Sequence, residues 1–460
     1  MKNRKLELKK ITLKNKFSCS IVELKNNNGS SLRIFLLILI SGYLMASSIP
    51  EFQQKELKNG LQILVVPLKN GSGVINTNIV YQVGSRNEIM GKSGIAHMLE
   101  HLNFKSTKNM KTGEFDEIVK GFGGLNNAST SFDITNYFIK SSAQNLDKSL
   151  ELFADMMANL NLKDEEFQSE RDVVLEERYW RTDNSPFGLL YFTIFNNAFV
   201  YHPYHWTPIG FINDIKSWKI EDIRDFWQTY YQPKNAFVIV TGDVEADEVF
   251  SKVEKWFGKI ENKREIPTRK YSEPEQLGAK RVYINKETKV EYFALGFKIP
   301  DFKNPDQTEL SIISELFSSG RSSRLYKRLV IEKKLASVIY SYPMDSIDEN
   351  LFLFMALGNG GVSAEDLEKE VWIEIEKLKN ELVSEKELEK VKTNVKSDFI
   401  YSFEKSMETA QIFAQYFAKG DLEPLLKYEE RVMKSSAEKI QEVAKKYFIK
   451  KNSTTVIYKK

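Results

Sequence analysis

Two of the four histidines stand four residues apart in His97-Met98-Leu99-Glu100-His101, with a carboxylate between them. This stretch constrains the chain more than any other. On an α-helix, positions i and i+4 lie one above the other and i+3 is their neighbour. A helix here therefore presents both imidazoles to one ion while Glu100 reaches the same space. Imidazole is a common zinc ligand, and a catalytic zinc site keeps three protein ligands plus an open position for water. A carboxylate beside that water takes its proton, which makes metal-assisted hydrolysis the chemistry to test. A solvated or ion-paired helix face is the plain alternative, and the pentapeptide alone does not exclude it.

A third donor is needed. Glu170-Arg171-Asp172-Val173-Val174-Leu175-Glu176-Glu177 reads as helical, and Glu170 and Glu177 lie seven apart, close to two turns, so they share a face. Val173 and Val174 sit between them, which predicts a partly apolar face packed inward. Two carboxylates on such a face need compensation, and a metal with a ligating histidine provides it. Glu177 is the candidate ligand and Glu170 the candidate acceptor for an imidazole N–H. Glu176 rivals Glu177 by proximity, and a solvated acidic face is the alternative for the whole run.

The order H-x-x-E-H inverts H-E-x-x-H. Together with Glu177, 76 residues beyond His101 inside ERDVVLEE, it resembles the pitrilysin-like inverzincin metallopeptidases. That group includes the mitochondrial processing peptidases, insulin-degrading enzyme and many bacterial relatives. The resemblance implies His97, His101 and Glu177 as ligands of one Zn2+ per subunit, Glu100 as general base and Glu170 as the supporting acid. It also implies a zinc-dependent endopeptidase that hydrolyses peptides or unfolded protein segments. A non-catalytic scaffold subunit of a related heteromer is the rival class; such chains usually lose the metal residues that this one keeps.

At 460 residues the chain exceeds one typical domain, and 42% hydrophobic content supports sizeable cores. The formal charge of +3 is unevenly spread. Residues 1–33 hold nine Lys/Arg against two Glu, a local +7 that leaves −4 for the rest, so no basic surface for nucleic acid is implied. The uncharged run Ile34–Leu44 and the small residues Ala46-Ser47-Ser48 complete what looks like a secretory signal with cleavage near 46–48. An uncleaved membrane anchor is its alternative. Cys19, the single cysteine, lies in this leader, so the remainder has no disulfide or thiol chemistry, which suits a periplasm or secretion.

Strands are expected at 60–67, 74–83, 127–142 and 237–242, with helices around the metal motif and at 115–120, 146–160 and 247–257. The charged stretch 259–274, with Pro267 and Pro274, reads as a linker. Strands at 282–284, 290–297, 351–357 and 454–458 and a helix at 307–317 then repeat the order. The expected domains are an N-terminal extension with the signal segment (1–48), a catalytic zinc domain (49–258), the linker (259–274) and a homologous C-terminal domain (275–460). The fold class is α+β, with two homologous domains of mainly antiparallel sheet packed with helices. The resemblance implies the same architecture, with subunits pairing around a chamber.

The resemblance further implies that peptide binds as an added strand on a sheet edge, where Asn127-Ala128-Ser129-Thr130-Ser131 matches the N-A-x-T-S pattern of the group. Asn127, Ala128 and Ser129 are the substrate-binding candidates; a turn followed by a structural strand is the plain alternative. His202 and His205 flank a proline in a Trp/Tyr-rich loop, which suits structural roles better than a second metal. Ser322-Ser323-Arg324-Leu325 matches a helix that in self-sufficient members carries an Arg and, seven residues later, a Tyr that hold the substrate carbonyl. Here those positions are Val330 and Ser337, neither of which can donate as a cation or phenol. The resemblance then implies a heterodimer in which a related subunit supplies the Arg and Tyr, with a homodimer as the other arrangement.

Overall fold

The computed structural model describes residues 9–10, 20–25, 31–36 and 48–460. Met1–Ser47 and Ser48–Lys460 are separate compact units. The first carries three short antiparallel strands, β1 (Lys9–Lys10), β2 (Ser20–Lys25) and β3 (Ser31–Leu36), in the order β1-β2-β3. The apolar run of the expected signal begins in β3. Residues 37–47, with the rest of that run and most of the cleavage window, lie outside the described residues. Among the described residues no helix is long and apolar enough to cross a membrane.

The second unit is an α+β fold built on two sheets. The first sheet contains β4 (Gln53–Glu56), β5 (Gln62–Pro67), β6 (Val74–Tyr81), β7 (Leu125–Thr130), β8 (Thr135–Ser142) and β9 (Ala236–Gly242), in the order β4-β5-β9-β6-β8-β7. The second contains β10 (Lys280–Asn285), β11 (Tyr292–Ile299), β12 (Ala336–Pro343), β13 (Asn350–Gly358) and β14 (Ser453–Lys459), in the order β10-β14-β11-β13-β12. Only β5–β9 and β10–β14 are parallel. Leaving β4 aside, the two orders are the same, with each half's last strand parallel to its opening strand. The duplication expected from element order is thus present in the topology.

Period-two alternation gives every strand two faces, and on the central strands both are covered. On β5, Ile63 and Val65 enter the core made with the first half's own helices, whereas Leu64 and Val66 pack with Phe413, Ala414 and Phe417 of the helix Ser406–Phe417. The second sheet is treated in the same way. Phe293, Leu295 and Phe297 face its own helices, while Ala294, Leu353 and Val456 lie under Leu190, Ile194 and Phe195 of the helix Pro186–Ala198. Each half therefore lends one helix to the far face of the other half's sheet.

Several expectations change. Residues 127–142 are not one strand but the hairpin β7–β8, closed by a turn in which Ser131 N–H donates to Ile134 O at 2.9 Å. β12 has no counterpart among the expected strands; a register shift between Ala336 and Val338 breaks its alternation. The stretch 259–274 carries no helix or strand, yet it is tied down. Glu273 accepts the N–H groups of Val200 (2.7 Å), Tyr201 (3.0 Å) and His202 (2.8 Å).

Candidate metal centre

The helix Ile95–Leu102 buries Ile95, Ala96, Met98, Leu99 and Leu102 against the first core, which leaves His97, Glu100 and His101 on its other side. Its entry is fixed by Gly94, at φ +89°, where a Cβ would stand 2.7 Å from Ile209 O. Gly94 offers no capping side chain, so the buried Glu88 supplies one. Its carboxylate takes the N–H of Gly94 and of Ala96, each at 2.8 Å, and satisfies donors that the first turn leaves open.

The helix Asp164–Arg178 brings the third donor. It packs through Phe167, Glu170, Val174 and Arg178, and Arg178 is fixed to Asp183 by bonds of 3.2 and 3.1 Å. Glu177 Oε2 lies 3.7 Å from His97 Nε2 and 3.3 Å from His101 Nε2. Glu176 is exposed, so Glu177 is the carboxylate that meets the imidazoles. Val174 is fully buried but Val173 is 48% exposed, so the inward face is narrower than the expected Val-Val stripe.

Hydrogen bonds decide which lone pairs are free. His101 Nδ1 lies 2.8 Å from Glu170 Oε1, and Lys105 Nζ lies 2.5 Å from Glu170 Oε2. With Nδ1–H donating to Glu170, Nε2 is the nitrogen of His101 that faces Glu177. Burial and the neighbouring His101 lower the His97 pKa to about 4, so His97 is a neutral imidazole. Burial lowers His101 as well, but its hydrogen bonds to Glu170 and Glu177 outweigh it and raise its pKa to about 9, so a metal ion at Nε2 would take the place of a proton. Two imidazole nitrogens and a carboxylate oxygen, all within 4.8 Å of one another, are placed to hold a metal ion. The N,N,O donor set is one that zinc takes in catalytic sites, so the residues present fit the ion that the sequence implies. Among the described residues this is the one group of three His, Cys, Asp or Glu side chains so arranged.

Glu100 lies beside these donors, where burial raises its pKa while Thr130 Oγ1, donating at 2.5 Å, partly offsets the rise. Thr130 ends β7, the edge of the first sheet; among the described residues no strand lies on its other side. Along β7, Asn127 and Ser129 are exposed, while Ala128 packs on the first core. Asn127 Oδ1 accepts the N–H of Ala128 at 2.9 Å.

Sequence reasoning missed three contacts. Arg181 stands four residues beyond Glu177, a spacing that predicts contact on a helix, and its Nη1 reaches Glu177 Oε1 at 2.9 Å. Lys105 lies past the end of the metal helix and meets Glu170 of another helix, which no local spacing reports. Thr130 lay inside the quoted edge motif, but only the fold shows that it meets Glu100. The other two histidines have structural partners: His202 Nε2 meets Asp348 at 2.9 Å, and His205 Nδ1 meets Phe199 O at 2.6 Å. In the second half Val330 packs on the core, and the Ser337 hydroxyl donates to Leu357 O at 3.4 Å. Arg328 is tied to Glu370 and, at 3.2 Å, to Glu374.

The profile of the insulinase family (peptidase family M16) matches residues 68–199, and that of the "Peptidase M16 inactive domain" matches residues 217–395. The zinc protease PqqE of Helicobacter pylori is 52% identical over 92% of this chain and 96% of its own. A probable mitochondrial-processing peptidase subunit beta of Arabidopsis thaliana is 26% identical over 88% of this chain and 78% of its own. A crystal structure of a protease from Helicobacter pylori superposes with a TM-score of 0.88 at 52% identity, covering 90% of this chain and 100% of that one.

Proposed function

The chain belongs to peptidase family M16, the insulinase family of pitrilysin-like metallopeptidases, and from that membership we propose that it is a zinc-dependent endopeptidase acting on peptides and unfolded protein segments. The observation that carries this is the convergence of His97 Nε2, His101 Nε2 and Glu177 Oε2 beside the buried Glu100. Zinc held by these three residues supplies Lewis-acid polarisation and acidifies water. Glu100 accepts the proton of the attacking water and delivers it to the departing amide nitrogen, and a carboxylate whose pKa is raised suits both transfers. Glu170 fixes the ring of His101 through Nδ1 and so sets the direction of its Nε2. The free edge of β7 offers backbone N–H and C=O groups to an extended peptide, with Asn127, Ala128 and Ser129 alongside it.

Residues 49–258 form the catalytic domain in this reading, 259–274 join the halves, and 275–460 form the homologous domain. Val330 and Ser337 leave the carbonyl of the substrate without a donor from this chain, so a related subunit supplies the Arg and Tyr. The word "subunit" in the name of the Arabidopsis relative accords with such an assembly. The basic leader and the apolar run 34–44 suit export to the periplasm or beyond; retention of that run would leave the protein membrane-anchored, and N-terminal sequencing of the exported protein distinguishes the two.

Metal analysis and cleavage of a peptide library by the wild type and by Glu100→Gln test the proposal. Stoichiometric zinc in both proteins, with cleavage lost only in the variant, is the expected result. Equal cleavage by the two proteins sinks the mechanism. Zinc binding without cleavage, alone or with a related subunit, would point to the scaffold class.

A further inference from the structure

Most of the second half lies within the match to the "Peptidase M16 inactive domain" (residues 217–395), yet this half grips the strand on which the proposed chemistry depends. The grip is at the turn 131–134 between β7 and β8. Asp133 is 4% exposed; one of its oxygens accepts Tyr204 O–H at 2.6 Å and the other accepts the N–H of Ile347 at 2.9 Å. Ile347 lies in the second half's loop between β12 and β13. The same loop supplies Asp348, whose N–H donates to Tyr204 Oη at 3.3 Å and whose carboxylate takes Arg86 and His202. Phe132, next in the turn, packs with Phe195, Tyr204 and the second-sheet residues Leu351 and Leu353.

The other side of the turn has no slack. Ser85 N–H donates to Ser131 O at 3.2 Å and Arg86 N–H to Phe132 O at 2.8 Å. The approach is so close that a Cβ on Gly84 would stand 2.4 Å from Ser131 O. Thr130 directly precedes this turn, and its hydroxyl is the hydrogen-bond donor to Glu100. β7 pairs with β8 alone, and a strand with one partner frays unless its ends are held.

We propose that Asp133 is a positioning residue through which the second half fixes the tip of β7, and hence Thr130, against Glu100. The catalytic consequence rests on Glu100 being the base; the mechanical one does not. Loss of the Asp133 contacts frees the turn, lets Thr130 leave the carboxylate and blurs the edge that receives the peptide. The second half thereby acts on the chemistry without contributing a group to it.

The test compares full-length wild type, Asp133→Asn, Thr130→Val and the double variant by zinc content, amide hydrogen exchange and cleavage of a fluorogenic peptide. Asp133→Asn is expected to keep its zinc, to raise exchange in 125–130 about 10-fold and to leave 95–102 protected. Its kcat/KM should fall roughly 10-fold or more, and the double variant should lose no more than the worse single one, because the two residues act in series. Unchanged exchange in 125–130, or losses that multiply, would overturn the proposal. Should Asp133→Asn not fold, Tyr204→Phe removes the donor to Asp133 and the acceptor of Asp348 N–H with almost no change of shape, and carries the same expectations at smaller size. A zinc-loaded wild type without peptidase activity, alone and with a related subunit, would refute the proposed function, while the exchange data would still decide the role of Asp133.

Discussion

Glu170 Oε1 lies 2.8 Å from His101 Nδ1, while its second oxygen holds Lys105 Nζ at 2.5 Å. One buried carboxylate thus orients an imidazole and neutralises a lysine. Burial opposes the charge on Glu170, but hydrogen bonds from His101 and Lys105 keep its pKa below the ordinary carboxylate value. An imidazole steered in this way has one tautomer and one direction in which to offer its lone pair.

Glu170→Gln should therefore weaken zinc binding by about 10- to 100-fold while the fold is retained. Competition with a chromophoric chelator measures this directly. Zinc affinity equal to that of wild type would show that the carboxylate only balances Lys105.

Acid should loosen the contact between the halves. Asp348 is partly buried, which raises its pKa, but hydrogen bonds from His202 and Arg86 outweigh burial and hold the pKa below the ordinary Asp value. A depressed folded pKa means that its stabilisation is present above the unfolded value near 4 and is lost as pH falls through the folded value. The groups facing it are Arg86, His202 and Tyr204, with Asp133 behind the phenol. Denaturation midpoints measured from pH 7 to pH 3 should fall less steeply for Asp348→Asn than for wild type. Identical slopes would assign the acid sensitivity to other carboxylates.

The exchanged helices predict shared stability. Phe195 is fully buried in the helix that the first half lends, and Phe413 is fully buried in the one that the second half lends. Phe195→Ala and Phe413→Ala should each cost about 3–5 kcal/mol, and each should lower one common unfolding transition because its partner sheet belongs to the other half. Calorimetry showing two separated transitions, only one of them moved by each variant, would contradict this coupling.

Much of the centre was legible because its spacing is local. His97, Glu100 and His101 sit within one helical turn of each other, and Glu170 and Glu177 within two, so period alone places each set on a face. The pairing of Thr130 with Glu100 depends on a hairpin and a helix meeting in space, which no local period reports. The hairpin itself was read as one strand because Ser131-Phe132-Asp133-Ile134 has no Gly or Pro to mark the turn. Its turn is held by the Ser131 hydroxyl, which accepts the N–H of Asp133 at 3.3 Å and of Ile134 at 3.1 Å, and from outside by Tyr204 and Ile347. The helix exchange was hidden for a related reason: Leu64 and Val66 show that the far face of β5 is apolar, but not which of the many helices covers it.

Activity should depend on a second subunit. Val330 is packed in the second core, Ser337 turns its hydroxyl to a backbone carbonyl, and Arg328 is occupied by Glu370 and Glu374. The Tyr340 ring is 55% exposed but stands three residues beyond Ser337, with the register shift of β12 at Ser337 itself. Loss of an oxyanion donor costs roughly 100- to 1000-fold in rate, so the zinc-loaded chain alone should cleave a fluorogenic peptide slower than its complex with a related Arg/Tyr-bearing subunit by about that factor. Removal of zinc with a chelator should abolish the activity of the complex, and added zinc should restore it. Full activity from the isolated chain would instead favour a homodimer that draws its carbonyl donors from other residues.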